Sequence, residues 1–160
     1  MRWLAQLGHH CVGVDRSADA LSQASAFGDT VQADLEQNPW PQAKLPPGFD
    51  ALVVTHYLWR PLIPSLRAVL VEGGVLLYET FTLAQAHIGR PSNPDFLLRP
   101  GELLALFGDW YVVAYEDGVV HDPVRCVQRI AAIKPTTGQT MPPAALSIES
   151  CSAWSMCQVA

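Results

Sequence analysis

Cys11-Val12-Gly13-Val14-Asp15-Arg16-Ser17 carries an apolar run onto a carboxylate and then directly into a helix start. Val12 and Val14 are β-branched and sit in continuous apolar sequence, the pattern of a parallel strand buried on both faces. Ser17 suits an N-cap and Asp19 the first helical turn, and Ala20, Leu21, Ala24 and Phe27 recur at helical spacing until Gly28. The stretch therefore reads as a strand followed by a helix. Ligands of open α/β sheets bind beyond the carboxyl ends of the strands. Asp15 stands at such an end, where a carboxylate accepts hydrogen bonds from ribose hydroxyls or, more simply, supports the start of the next helix.

Downstream, residues 30–33 read as a second strand ending on Asp34, followed by a polar, proline-rich loop over 36–48. Residues 49–55 read as a third buried strand, with His56, Tyr57, Leu58, Trp59 and Arg60 at its carboxyl end. Residues 61–70 read as a helix, because Pro61 fits a first turn and Leu62, Leu66, Val69 and Leu70 share one face. Gly73 and Gly74 mark a turn before a fourth strand over 75–80. This alternation predicts a mostly parallel sheet with helices on its faces.

After Phe81 the pattern changes. Residues 87–96 form a long proline-containing loop of the kind that serves function, 100–107 a short helix, and 110–116 and 124–133 two strands. The connection between those strands is too short for anything but antiparallel pairing. At the other end, residues 1–7 read as the last two turns of a helix stopped by Gly8. The expected organisation is one α/β domain over 1–133 and an irregular tail over 134–160, where prolines interrupt any periodicity.

A length of 160 residues suits one domain with a real core, and 49% apolar against 16% charged residues excludes a disordered chain. A net charge of −5 provides no basic footprint for nucleic acid, so a small-molecule partner is expected. No apolar run approaches a membrane span and the first residues are too short for a signal peptide, which predicts a cytoplasmic protein. Cys11, Cys126, Cys151 and Cys157 follow neither a disulfide nor a zinc spacing, so no metal is expected.

Several segments carry a closer likeness. Val12-Gly-Val-Asp15-Arg-Ser17, Ala33-Asp34-Leu35, Gly73-Gly-Val-Leu-Leu-Tyr-Glu79-Thr-Phe81 and above all Gly89-Arg-Pro-Ser-Asn-Pro-Asp-Phe-Leu-Leu-Arg-Pro-Gly-Glu-Leu103 resemble bacterial S-adenosylmethionine-dependent methyltransferases of the tellurite-resistance group. The resemblance covers residues 1–133. It implies a Rossmann-like class I methyltransferase sheet, mostly parallel with an antiparallel C-terminal hairpin, and S-adenosyl-L-methionine as cofactor. By this resemblance Asp15, with Arg16 beside it, would bind the cofactor ribose, and Asp34 with the backbone of Leu35 would hold the adenine. Thr55 and His56 would border the methionine moiety. Tyr57, Arg60, Glu79, Arg90 and Arg99 would surround the pocket of a small methyl acceptor, such as a thiol or a metalloid oxyanion, with residues 90–95 as a lid. Arg60, Arg90 and Arg99 read equally well as loop anchors.

The class also carries an acidic, glycine-rich turn after its first strand, and by this resemblance that strand, that turn and the first half of the following helix are absent here. Met1 falls where the following helix is already under way. The expectation is an N-terminally truncated sheet with a gap between the strands ending at Asp15 and Thr55. Its open edges would allow a homodimer, and the protein would be either longer in nature or an incomplete fragment. Two further readings stay open: an NAD(P)-dependent oxidoreductase, which also uses an acidic strand end, and a catalytically inactive interaction module of the same fold.

Overall fold

The computed structural model describes residues 1–138 and 155–159, with the backbone alone for 155–158. Its first strand, β1 (His10–Asp15), is buried over Cys11 to Val14 and leads through the Ser17 cap into α2 (Ala18–Ala24), as the sequence predicts; α1 (Arg2–Gln6) precedes them. Ser17 Oγ accepts a hydrogen bond from the Ala20 amide at 3.2 Å. A single 3-10 turn over Ser25–Phe27 then closes the helix at Gly28. At Gly28, φ is 152° and an added Cβ would lie 2.2 Å from the Cys11 carbonyl oxygen, so only glycine lets the chain turn back beside β1.

The return strand β2 (Asp29–Gln32) pairs in parallel with β1. After the proline-rich loop come β3 (Phe49–Thr55), α3 (Ile63–Val69) and β4 (Leu70–Phe81). The fourth strand starts five residues before the expected position and runs through Gly73 and Gly74. At Gly74 a side chain would meet Leu70 and the carbonyls of Val71 and Asp50, so close packing rather than a turn explains that glycine. Next follow α4 (Glu102–Phe107) and the antiparallel hairpin β5 (Tyr111–His121) and β6 (Val124–Ile133). Its strands extend beyond the expected 116, leaving Asp122 and Pro123 as the turn.

The largest correction concerns the tail. Residues 139–154 and 160 lie outside the described residues, but Ser155–Val159 form a strand, β7, and not irregular chain. It inserts between β1 and β3, parallel to both, with Val159 opposite Val14 on one side and Val54 on the other. The sheet order is β2-β1-β7-β3-β4-β6-β5. The expected gap is thus filled, and the edges of β1 and β3 that the dimer expectation relied on are paired within the chain. The physical reason is the cost of two facing rows of unpaired backbone groups in the middle of a sheet, which any available extended segment relieves.

One face of the sheet carries the main core. Leu52, Val54, Leu76 and Tyr78 pack there under α3 and α4, against Leu66, Leu103 and Phe107, all 2% exposed or less. On the other face Met1 lies against Gly13 and Gly28. Among the described residues no helix is long and apolar enough to cross a membrane, and no cluster of three metal-binding side chains occurs.

Candidate functional site

Beyond the carboxyl ends of β1, β2 and β3 lies a cavity of about 400 Å³, within the range of small-molecule sites. Asp15, Arg16, Asp34, Leu35 and Glu36 form one wall. His56, Tyr57 and Leu58 form the second, and Pro91 and Phe96 contribute from the long loop.

The two aspartates are held alike. Asp15 Oδ1 accepts from the Ser17 amide at 2.7 Å, and Asp34 Oδ1 accepts from the Glu36 amide at 3.0 Å. These short Asx turns fix each carboxylate through one oxygen and leave the other available to a ligand hydroxyl or amino group. The strand ends are also tied to each other, since the Ala33 amide donates to the Asp15 carbonyl at 3.0 Å. Asp15, Asp34 and Glu36 against Arg16 give the wall an excess of negative charge, which favours a cationic ligand.

His56 ends the third strand with φ at 54°, the one non-glycine residue in the left-handed region among those described. Such a conformation costs roughly 1–3 kcal/mol and persists only where the surroundings impose it. Here the His56 amide donates to the Glu79 carbonyl at 2.9 Å, and its ring stacks on Phe81 with centroids 5.1 Å apart. Its Nε2 lies 3.3 Å from Arg125 Nη1 and 3.5 Å from Glu79 Oε1. The Tyr57 carbonyl accepts from the buried Tyr78 hydroxyl at 3.0 Å. The Tyr57 hydroxyl is buried with no hydrogen-bond partner among the described residues, and burial, reinforced by the charges of Glu36 and Asp34 and opposed by Arg16, pushes its pKa up to about 12. It is therefore a neutral phenol across the physiological range.

Of the residues singled out in the sequence, Asp15, Arg16, Asp34, Leu35, His56 and Tyr57 line this cavity; Thr55, Arg60, Glu79, Arg90 and Arg99 do not. Thr55 and Glu79 are neighbours in the β3-β4 ladder and border a shallower hollow of about 310 Å³ on the sheet. Glu79 is held there by Arg129 and approached by Arg125. The Arg60 guanidinium binds Glu102 and the loop carbonyls of Asp95 and Leu97. Arg90 offers its carbonyl to Gln85, and Arg99 offers its amide to Glu102 and its carbonyl to Gln128.

Sequence reading passed over Glu36 and Phe96 at the cavity and Arg125 and Arg129 around Glu79, and reached Pro91 only as part of the 90–95 lid. The arginines did carry a signal. They fall four residues apart on one face of an apolar strand, with Val127 between them on that face, where two unpaired cations would be costly.

Solved structures share the fold. TehB from Haemophilus influenzae matches with a TM-score of 0.62 at 18% identity, over 82% of this chain and 52% of TehB. A SAM-dependent methyltransferase from Methanosarcina mazei matches with a TM-score of 0.60 at 14% identity, over 83% of this chain and 85% of its own. The fold is that of the class I S-adenosylmethionine-dependent methyltransferases. The N-methyltransferase NodS from Bradyrhizobium japonicum matches likewise, with a TM-score of 0.58 at 15% identity over 79% of this chain and 74% of NodS. The chain spans about half the length of TehB. No family model and no curated protein matches it. Within this methyltransferase fold the cavity lies where Asp15 and Asp34 close adjacent parallel strands, and Val159 of β7 stops one register step short of Asp15 and Thr55.

Proposed function

We propose that this protein binds S-adenosyl-L-methionine in the cavity bounded by Asp15, Asp34 and His56 and transfers its methyl group to a small acceptor. One observation carries the reading: two carboxylates, each fixed through a single oxygen by its own Asx turn, face one cavity at adjacent strand ends. Such a pair suits the two polar ends of a nucleoside. Asp15 would accept from the ribose hydroxyls, and Asp34, with the backbone at Leu35, would engage the adenine amino group. Leu35 and Phe96 supply apolar surface for the base.

When bound, the cofactor supplies a methyl group already activated on a sulfonium. The protein's part is to bind, orient and exclude water. The carboxylate excess along the wall suits that positive charge. His56 and Tyr57 follow the end of the third strand on the cavity's second wall and would border the methionine part and the acceptor. A small acceptor fits both the size of the cavity and the chain's net charge of −5, which does not favour nucleic acid. By resemblance it would be a thiol or a metalloid oxyanion. The oxidoreductase alternative has no comparable support, since the matching structures named above are methyltransferases.

Calorimetric titration with S-adenosylhomocysteine tests the proposal. Micromolar binding that Asp15→Ala abolishes is the expected result. Absence of binding to the folded wild-type chain, or equal binding by Asp15→Ala, would overturn it.

A further inference from the structure

The loop that carries Pro91 and Phe96 to the cavity contains two short 3-10 turns, Leu83–His87 and Pro94–Phe96, and its backbone is held from outside at point after point. Thr82 and Leu98 form an isolated bridge, and Leu83 and Leu98 donate to the Leu98 and Phe81 carbonyls at 2.9 Å each. Gln85, 4% exposed, donates to the Arg90 carbonyl at 3.2 Å while its Oε1 accepts from the Cys126 amide at 2.9 Å.

The strongest fixture is Arg60. Nη1 donates to the Asp95 carbonyl at 2.6 Å and Nη2 to the Leu97 carbonyl at 3.0 Å, so one planar group takes the carbonyls on both sides of Phe96. From behind, Glu102 accepts from Arg60 Nε at 2.7 Å and from Nη2 at 2.9 Å, and its Oε2 also accepts from the Arg99 amide at 2.8 Å. A guanidinium fork is the one side chain that can satisfy two carbonyls and a carboxylate in a single plane. Arg60 itself lies two residues beyond Leu58, in the turn that supplies His56, Tyr57 and Leu58 to the opposite wall. It therefore ties the loop that carries Phe96 to the segment at 56–58 without lining the cavity.

We propose that Arg60, oriented by Glu102, is a positioning residue for the ligand cavity: it holds Phe96 against the turn at 56–58, and nucleoside affinity depends on that bracket. The inference rests on the cofactor reading above and adds a residue that acts through Phe96. Releasing Phe96 makes ligand binding pay to order it again, which corresponds to roughly a tenfold loss of affinity.

The experiment is calorimetric titration of S-adenosylhomocysteine into the full chain and six variants. Arg60→Gln and Arg60→Lys are each expected to bind about tenfold more weakly, because an ammonium cannot span both carbonyls. Arg60→Gln combined with Glu102→Gln removes the bracket without leaving a buried charge unpaired, and keeps the test valid should the single variant fold poorly. Arg67→Gln is the control. Arg67 makes a similar fork to Asp109 and the Leu106 carbonyl but touches nothing at the cavity, so its affinity should match wild type. On a Phe96→Ala background, Arg60→Gln should add little further loss. Wild-type binding with undiminished affinity in the Arg60 variants would overturn the inference, as would full additivity with Phe96→Ala. No binding by wild type would instead overturn the cofactor reading itself.

Discussion

Val159 provides the sharpest test of the central strand. It is fully buried, with Val14 and Val54, themselves 1% and 0% exposed, as its register partners on the two flanking strands. Val159→Ala removes two carbons, worth roughly 0.8 kcal/mol each by transfer alone. Its neighbours are pinned in ladders and collapse poorly into the space, so a cavity contribution brings the total to about 2 kcal/mol. Val124→Ala in β6 is the control, being the same substitution in a strand at a position 49% exposed. It should fall within about 0.5 kcal/mol of wild type. With an urea slope of roughly 2 kcal/mol per M, the Val159 variant should unfold about 1 M earlier, and its melting temperature should drop by roughly 4–8 °C. Urea and thermal unfolding followed by circular dichroism measure both. Equal midpoints for the two variants would refute the placement of Ser155–Val159 between β1 and β3.

Other consequences follow from single contacts. Asp34→Asn keeps the Asx turn but converts a pure acceptor into a mixed group, so S-adenosylhomocysteine affinity should fall about tenfold with unchanged melting temperature. Gln128 is fully buried, accepting from the Leu103 amide and donating to the Arg99 carbonyl and Asp117; Gln128→Leu strands those groups and should cost roughly 2–3 kcal/mol in urea unfolding. Burial of Glu102 works to raise its pKa, but the hydrogen bonds from Arg60 and the Arg99 amide prevail and hold the carboxyl below the usual range. Its contribution to stability is therefore complete above the ordinary glutamate value of about 4.3 and disappears as pH falls through the lower folded value. Melting curves against pH should show wild type and Glu102→Gln converging in acid and separating above that range.

Much of the fold was legible because its signals are local. A β-branched run ending on a carboxylate, a serine cap three residues before its amide partner, and a short polar link between two apolar runs are all chain neighbours. So β1, α2, the parallel succession and the hairpin emerge with boundaries displaced by a few residues. The aspartates at the cavity were legible for the same reason, since a strand end is both a sequence feature and a place in the sheet. Arg60 was legible only as a guanidinium near the site. Its alternatives, acceptor contact or loop anchor, were separated by partners 35 to 42 residues away in Asp95, Leu97 and Glu102.

The sequence by itself determined an α/β sheet, the order of most strands and the two carboxylates that line the cavity at its edge. Tertiary structure alone decided which segment lies at the centre of that sheet. Ser155-Met-Cys-Gln-Val159 lacks the apolar run of a buried strand, and nothing local distinguishes it from irregular chain. It becomes a strand because β1 and β3 present two parallel rows of backbone donors and acceptors that must be satisfied, and pairing on both sides outweighs a weak intrinsic preference.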